Sequence, residues 1–117
     1  MNKFIFLILS FLVSFTVNAE ILHTSSGTIT QLITYDDVGA QERFEGADVV
    51  AFFDTGITTC PNGVWISPDA PGYSTIVSFL LTAYTTKSNI EFQIYDDQIW
   101  FGSKLNKMCK IDAIWMK

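Results

Sequence analysis

Apolar and polar residues alternate with a period of two in several stretches after residue 27, and the rhythm turns helical only once. Thr28 to Tyr35 alternates, with Ile29 and Ile33 bracketing Gln31 on one face, and this predicts a strand. Asp36-Asp37-Val38-Gly39 reads as a turn. Gln41 to Phe44 suggests a short strand and Asp48 to Phe53 a more apolar one, ended by Asp54-Thr55-Gly56. Cys60-Pro61-Asn62-Gly63 is a further turn before the short strand Val64-Trp65-Ile66. His23 to Ser26 reads as a polar lead-in.

Pro68, Pro71 and Gly72 mark the change of rhythm. Tyr73, Ile76, Val77, Leu80, Leu81 and Tyr84 then recur at helical spacing, which predicts an amphipathic helix with Ser74 as its N-cap. Its other face, from Thr75, Ser78, Thr82 and Thr85, is hydroxyl-rich and uncharged. It faces another subunit, a narrow cavity or simply solvent. Ile90, Phe92 and Ile94 alternate with Glu91, Gln93 and Tyr95 as a strand. Asp96-Asp97-Gln98 is read as a turn into Ile99-Trp100-Phe101. The last strand is Met108 to Met116, with Cys109, Ile111, Ala113 and Trp115 on one face and Met108, Lys110, Asp112, Ile114 and Met116 on the other. The order is βββαββ, a mainly β fold. A five-stranded barrel with one helix between the third and fourth strands, the OB-fold, fits this order. A ubiquitin-like or open α+β sheet is the competing arrangement.

The N-terminus changes the picture of where this domain works. Lys3 precedes an apolar run from Phe4 to Val17, and Val17-Asn18-Ala19 offers small residues before Glu20. This is the three-part pattern of a signal peptide, and the run is shorter than the roughly 20 residues that span a bilayer. We expect residues 1–19 to be cleaved and 20–117 to form a single secreted or periplasmic domain with no membrane span. All twelve acidic residues and six of the seven cations lie after residue 19, giving that part a formal charge of −6. An acidic surface repels phosphate backbones, so nucleic acid is not an expected partner. In an exported chain the two cysteines, Cys60 and Cys109, suggest a disulfide.

Candidate chemistry is sparse. The single histidine, His23, stands near the expected new N-terminus, and no supported nucleophile–base set accompanies it. Asp36-Asp37 and Asp96-Asp97 sit where turns are expected, and adjacent strand residues face opposite ways, so neither pair converges for acid–base work. His23, Cys60 and Cys109 do not make a four-ligand metal site. We expect no enzyme activity, no metal and no cofactor. Aromatic residues are the positive signal, because exposed rings beside hydroxyl or amide groups hold sugars. Trp65, Tyr95, Trp100 and Phe101 lie next to expected turns and are the rim candidates.

One further pattern carries a resemblance. Ser26-Gly27 leads into Ile29-Thr30-Gln31, the helix ends in Ala83-Tyr84-Thr85-Thr86, and a strand runs to Ile94-Tyr95 with Trp100 shortly after. This series is similar to that in the B subunit of subtilase cytotoxin and its relatives among the pertussis-like toxin B subunits. The chain also resembles short exported bacterial proteins with a late Cys followed by Ile-Asp, here Cys109, Ile111 and Asp112. The resemblance implies an OB-fold subunit in a ring homopentamer, with helices lining a pore and edge strands pairing between neighbours. It implies binding of cell-surface glycans, sialylated ones among them, and a catalytic A subunit as partner. Of the family's sugar-pocket residues, the Ser before the first strand corresponds to Ser26. The Tyr after the fourth strand corresponds to Tyr95, followed here by Asp96. A protein-binding module of the same fold, without a toxin role, is the alternative.

Overall fold

The computed structural model describes residues 20–36, 47–102 and 104–117. The expected signal segment 1–19, all of the turn Asp36–Gly39 but Asp36, and the short strand Gln41–Phe44 lie outside them. The fold is mainly β, as the alternation predicts. Among the described residues it has six strands rather than five, in one mixed sheet that does not close into a barrel. The strands are β1 (Ile21–His23), β2 (Ile29–Thr34), β3 (Val49–Phe53), β4 (Gly63–Ile66), β5 (Ile90–Ile99) and β6 (Met108–Met116). The helix α1 (Tyr73–Thr86) lies between β4 and β5. The sheet order is β1-β5-β6-β4-β3-β2.

The additional strand is β1. The polar lead-in expected over His23–Ser26 is pinned instead. Ile21 pairs with Tyr95 and His23 with Gln93. Thr24 then donates its N–H to the Phe92 carbonyl, and its hydroxyl accepts from the Phe92 N–H at 2.9 Å. Local polarity conceals such an edge strand, because its stability comes from ladder bonds to a distant partner.

Two antiparallel halves, β2-β3-β4 and β1-β5-β6, meet at a parallel seam where Gly63, Val64 and Trp65 pair with Met108, Cys109 and Lys110. Parallel pairing requires a long crossover, and α1 with β5 supplies it. The disulfide Cys60–Cys109 crosses the same seam, with Cα atoms 5.7 Å apart and both side chains buried. Gly63 starts β4 at φ 153°, and a Cβ there would collide with the carbonyl oxygen of Ala51 on β3. Only glycine lets the two backbones approach this closely.

Alternation sorts the side chains onto the two faces. Val49, Ala51, Phe53, Val64, Ile66, Ile90, Phe92 and Ile94 form the main core, with Leu80 and Ala83 of α1 above them. Val50, Trp65, Trp100 and Met108 make a smaller core on the opposite face. Trp65 and Trp100, expected at a rim, are therefore interior residues. Phe101 alone of the rim candidates is largely exposed.

The helix keeps the first part of its expected stripe: Tyr73, Ile76, Val77 and Leu80 pack on the main core together with Ala83, whereas Leu81 and Tyr84 are exposed. The N-cap is Gly72 rather than Ser74, with no side-chain cap. The hydroxyls of Ser78, Thr82, Thr85 and Thr86 each donate to the carbonyl four residues back. The uncharged face thus satisfies its polar groups within the helix itself.

Candidate functional site

A single irregularity in β6 positions the candidate site. Gln93 pairs with Ala113 and Ile94 with Ile111, so Asp112 is an extra residue bulged from the ladder. The bulge shifts the alternation by one. Ile114 then joins the main core, and Trp115 emerges on the opposite face. This corrects the simple alternation expected for β6, which grouped Trp115 with Cys109 and Ile111. Trp115 stands directly across from Glu91 and remains 40% exposed.

A polar network surrounds it. Ser26 donates its hydroxyl to Glu91 Oε1 at 2.9 Å, and Lys117 Nζ lies 2.8 Å from the same oxygen. The hydrogen bond from Lys117, then that from Ser26, holds the Glu91 carboxyl below its ordinary range. The His23 ring tilts over Trp115 with centroids 5.2 Å apart. Ser26 is fixed from both sides in the chain. Thr24 is anchored on Phe92, and Gly27 exchanges two backbone hydrogen bonds with Ile90. On the far side, Asp54 accepts from the N–H and hydroxyl of Thr28, and Thr55 donates to the Ser25 carbonyl. The result is an exposed indole flanked by an imidazole, a hydroxyl, a carboxylate and an ammonium group.

The three sugar-pocket candidates do not converge. Ser26 lies beside Glu91, whereas Tyr95 is four positions further along β5, about 13 Å away at strand spacing. Tyr95 donates its hydroxyl to Asp112 Oδ1 at 2.6 Å, which pushes the phenol above its ordinary value. The pair lines a shallow pocket with Gly72, Ile76 and Lys110 near the start of α1. Asp96 is half-buried, and its N–H donates to the Glu20 carbonyl. The turn expected at Asp96–Gln98 is absent, because β5 runs through it to Ile99. Tyr95 and Ile99 pair with the adjacent residues Lys110 and Cys109, so the segment between them bows out of register.

Sequence reading missed His23, Glu91, Trp115 and Lys117 as a group. They come from three separate segments, and no local spacing links them. Among the described residues no group of three or more metal-ligating side chains converges, and no helix is long and apolar enough to cross a membrane. No protein-family model, curated protein or solved structure matches the chain.

Proposed function

We propose that this is an exported, non-catalytic binding subunit that holds glycans through the Ser26–Glu91–Trp115 cluster. The observation that carries the reading is the exposed Trp115 ring set across from Glu91, whose carboxylate is held by Ser26 and Lys117. An accessible ring with oriented donors and acceptors at its edge suits a pyranose, whose C–H face stacks while its hydroxyls hydrogen-bond. The Ser26 hydroxyl is bonded to Glu91 rather than to His23, which favours ligand orientation over nucleophile activation. The disulfide is compatible with an oxidising compartment.

Relationship to OB-fold toxin B subunits is part of this reading. Apart from β1, the order is five strands with a helix between the third and fourth. The chain also passes within residues 24–28 from its bonds with β5 to its bonds with the β3 end, spanning the two sheet edges. A ring oligomer is supported by the uncharged α1, which exposes Phe79, Leu81 and Tyr84. The same face would equally suit a protein partner, including an A subunit.

A glycan array on the chain from Glu20, with isothermal titration of any hit, tests the reading. W115A is expected to abolish binding and E91Q to weaken it at least tenfold. An array with no hit, or a hit that W115A leaves unchanged, overturns it. Native mass spectrometry reports the oligomer, and a monomer at micromolar concentration refutes the ring.

A further inference from the structure

The loop joining β5 to β6 stands apart from the rest of the surface. From Gln98 to Ile111 there is no acidic residue, although the domain is acidic overall. Three of the six cations after residue 19, Lys104, Lys107 and Lys110, fall within this stretch. Two large apolar side chains project from the same loop, Phe101 at 66% exposure and Leu105 at 93%. Ile99 at its base is 37% exposed. Single exposed apolar residues are commonplace, but an apolar pair interleaved with lysines on one tip is not explained by folding.

The base of the loop is anchored. The Trp100 N–H donates to the Met108 carbonyl at 2.9 Å and closes the base of the loop. Gly102 lies against the Trp100 indole so closely that a Cβ would overlap the six-membered ring. Trp100 is itself anchored in the smaller core beside Val50 and Met108. Phe101 therefore follows directly on an anchored residue, and the Lys104 N–H donates to the Gly102 carbonyl at 3.0 Å. Behind the loop a groove of about 240 Å³, walled by Tyr35, Phe52 and Trp100, contains Lys104 and Asn106 but no acidic residue.

We propose that this loop is a contact site for an anionic lipid surface, with Phe101 and Leu105 entering the interfacial layer and Lys104 and Lys107 meeting headgroup phosphates. A bilayer interface accepts a convex apolar tip without a matching cavity, which a protein partner would have to supply. Lysine stems lie along apolar surface while their ammonium groups reach the headgroups. The charge that makes the whole domain a poor ligand for anionic membranes does not extend to this tip, and charges more than about 10 Å apart are largely screened at moderate salt. β5 is ten residues long, so the Ser26–Trp115 cluster lies about 30 Å away at the other end of the same hairpin. A molecule held by the loop would present that cluster away from the lipid.

Co-sedimentation of the chain from Glu20 with phosphatidylcholine vesicles, with and without phosphatidylglycerol, tests this. That chain carries every described element of the fold and lacks the apolar N-terminal run, which would partition by itself. Binding is expected only with phosphatidylglycerol and is expected to weaken as salt rises. Each lysine near an anionic surface contributes about fivefold to partitioning, so K104Q/K107Q is expected to weaken binding about 25-fold. F101S/L105S is expected to abolish it. All four side chains are exposed, so near-ultraviolet circular dichroism should match the parent and separate a binding loss from misfolding. Equal sedimentation with both vesicle types, or variants that bind like the parent, overturns the proposal. Retention on polyglutamate resin without vesicle binding reassigns the loop to an acidic polypeptide and overturns it as well.

Discussion

The indole N–H of Trp100 donates to Asp48 Oδ2 across 3.1 Å, and both residues are closed to solvent. Asp48 precedes β3, and Trp100 follows β5 at the loop base. The bond therefore ties the β3 strand to the β5–β6 hairpin on the face away from the helix. Removing a donor from a buried acceptor costs about 1–3 kcal/mol, and the smaller ring adds lost packing. W100F is expected to destabilise the domain by about 2–3 kcal/mol in urea unfolding, with F101A as a near-neutral neighbour. A W100F cost no larger than that of F101A would contradict this role.

The disulfide and the parallel β4–β6 ladder hold the same seam. In the chain-entropy account, closing a loop of 49 residues contributes about 4 kcal/mol by restricting the unfolded chain. C60A/C109A is expected to lose roughly that much, with a lower urea midpoint and an unchanged strand signal in far-ultraviolet circular dichroism. Both cysteines are buried, so reductant should act only under conditions that open the seam.

Glu91 links stability to acid. Its folded carboxyl titrates below the ordinary range because Lys117 and Ser26 hydrogen-bond the charged form. Its contribution is complete above the unfolded carboxyl's titration and disappears as pH falls through the folded one. E91Q should therefore flatten the acid side of the stability profile and leave the alkaline side alone. Parallel acid limbs for the two proteins would show that the network carries no charge-dependent stability.

Tyr95 gives the opposite limb. Donation to Asp112 favours the neutral phenol and raises its titration above the ordinary value near 10.0. The contribution is complete below that value and is lost as pH rises through the folded one. Y95F should lower stability at neutral pH by about 1 kcal/mol and remove the additional alkaline loss seen in the parent. Unfolding midpoints measured from neutral pH to above 10 check it.

Deleting Asp112 should leave the two faces of β6 in place. Without the extra residue Ala113 follows Ile111 directly in the ladder, so Ile114 stays in the core and Trp115 stays across from Glu91. We expect the exposed-indole fluorescence of Trp115 to persist, with a loss of about 1 kcal/mol from the missing Tyr95–Asp112 bond. D112A keeps the residue count and should keep that fluorescence, losing only the Tyr95 bond.

Several elements were legible locally. The alternation of Ile90 to Ile94 and the short apolar runs Val49 to Phe53 and Val64 to Ile66, bounded by turn residues, predict strands. The spacing from Tyr73 to Leu80 predicts the helix through its longer period. Cys60 and Cys109 were a candidate pair by count alone. Where longer-range contacts compete, local reading failed. Asp96-Asp97-Gln98 has turn composition yet lies within β5, since Tyr95 and Ile99 on either side pair with β6 and Asp96 donates to the Glu20 carbonyl.

The sequence by itself determined the mainly β character, the helix at Tyr73–Thr86, the acidic net charge and the residues available for a bridge. Each follows from composition or from a period shorter than one element. Tertiary structure alone decided the sixth strand, the parallel seam, the bulge at Asp112 and the separation of Ser26 from Tyr95. These depend on register between segments tens of residues apart. One extra residue there offsets the alternation, so Trp115 stands across from Glu91 and not on the face that its spacing from Cys109 and Ile111 predicts.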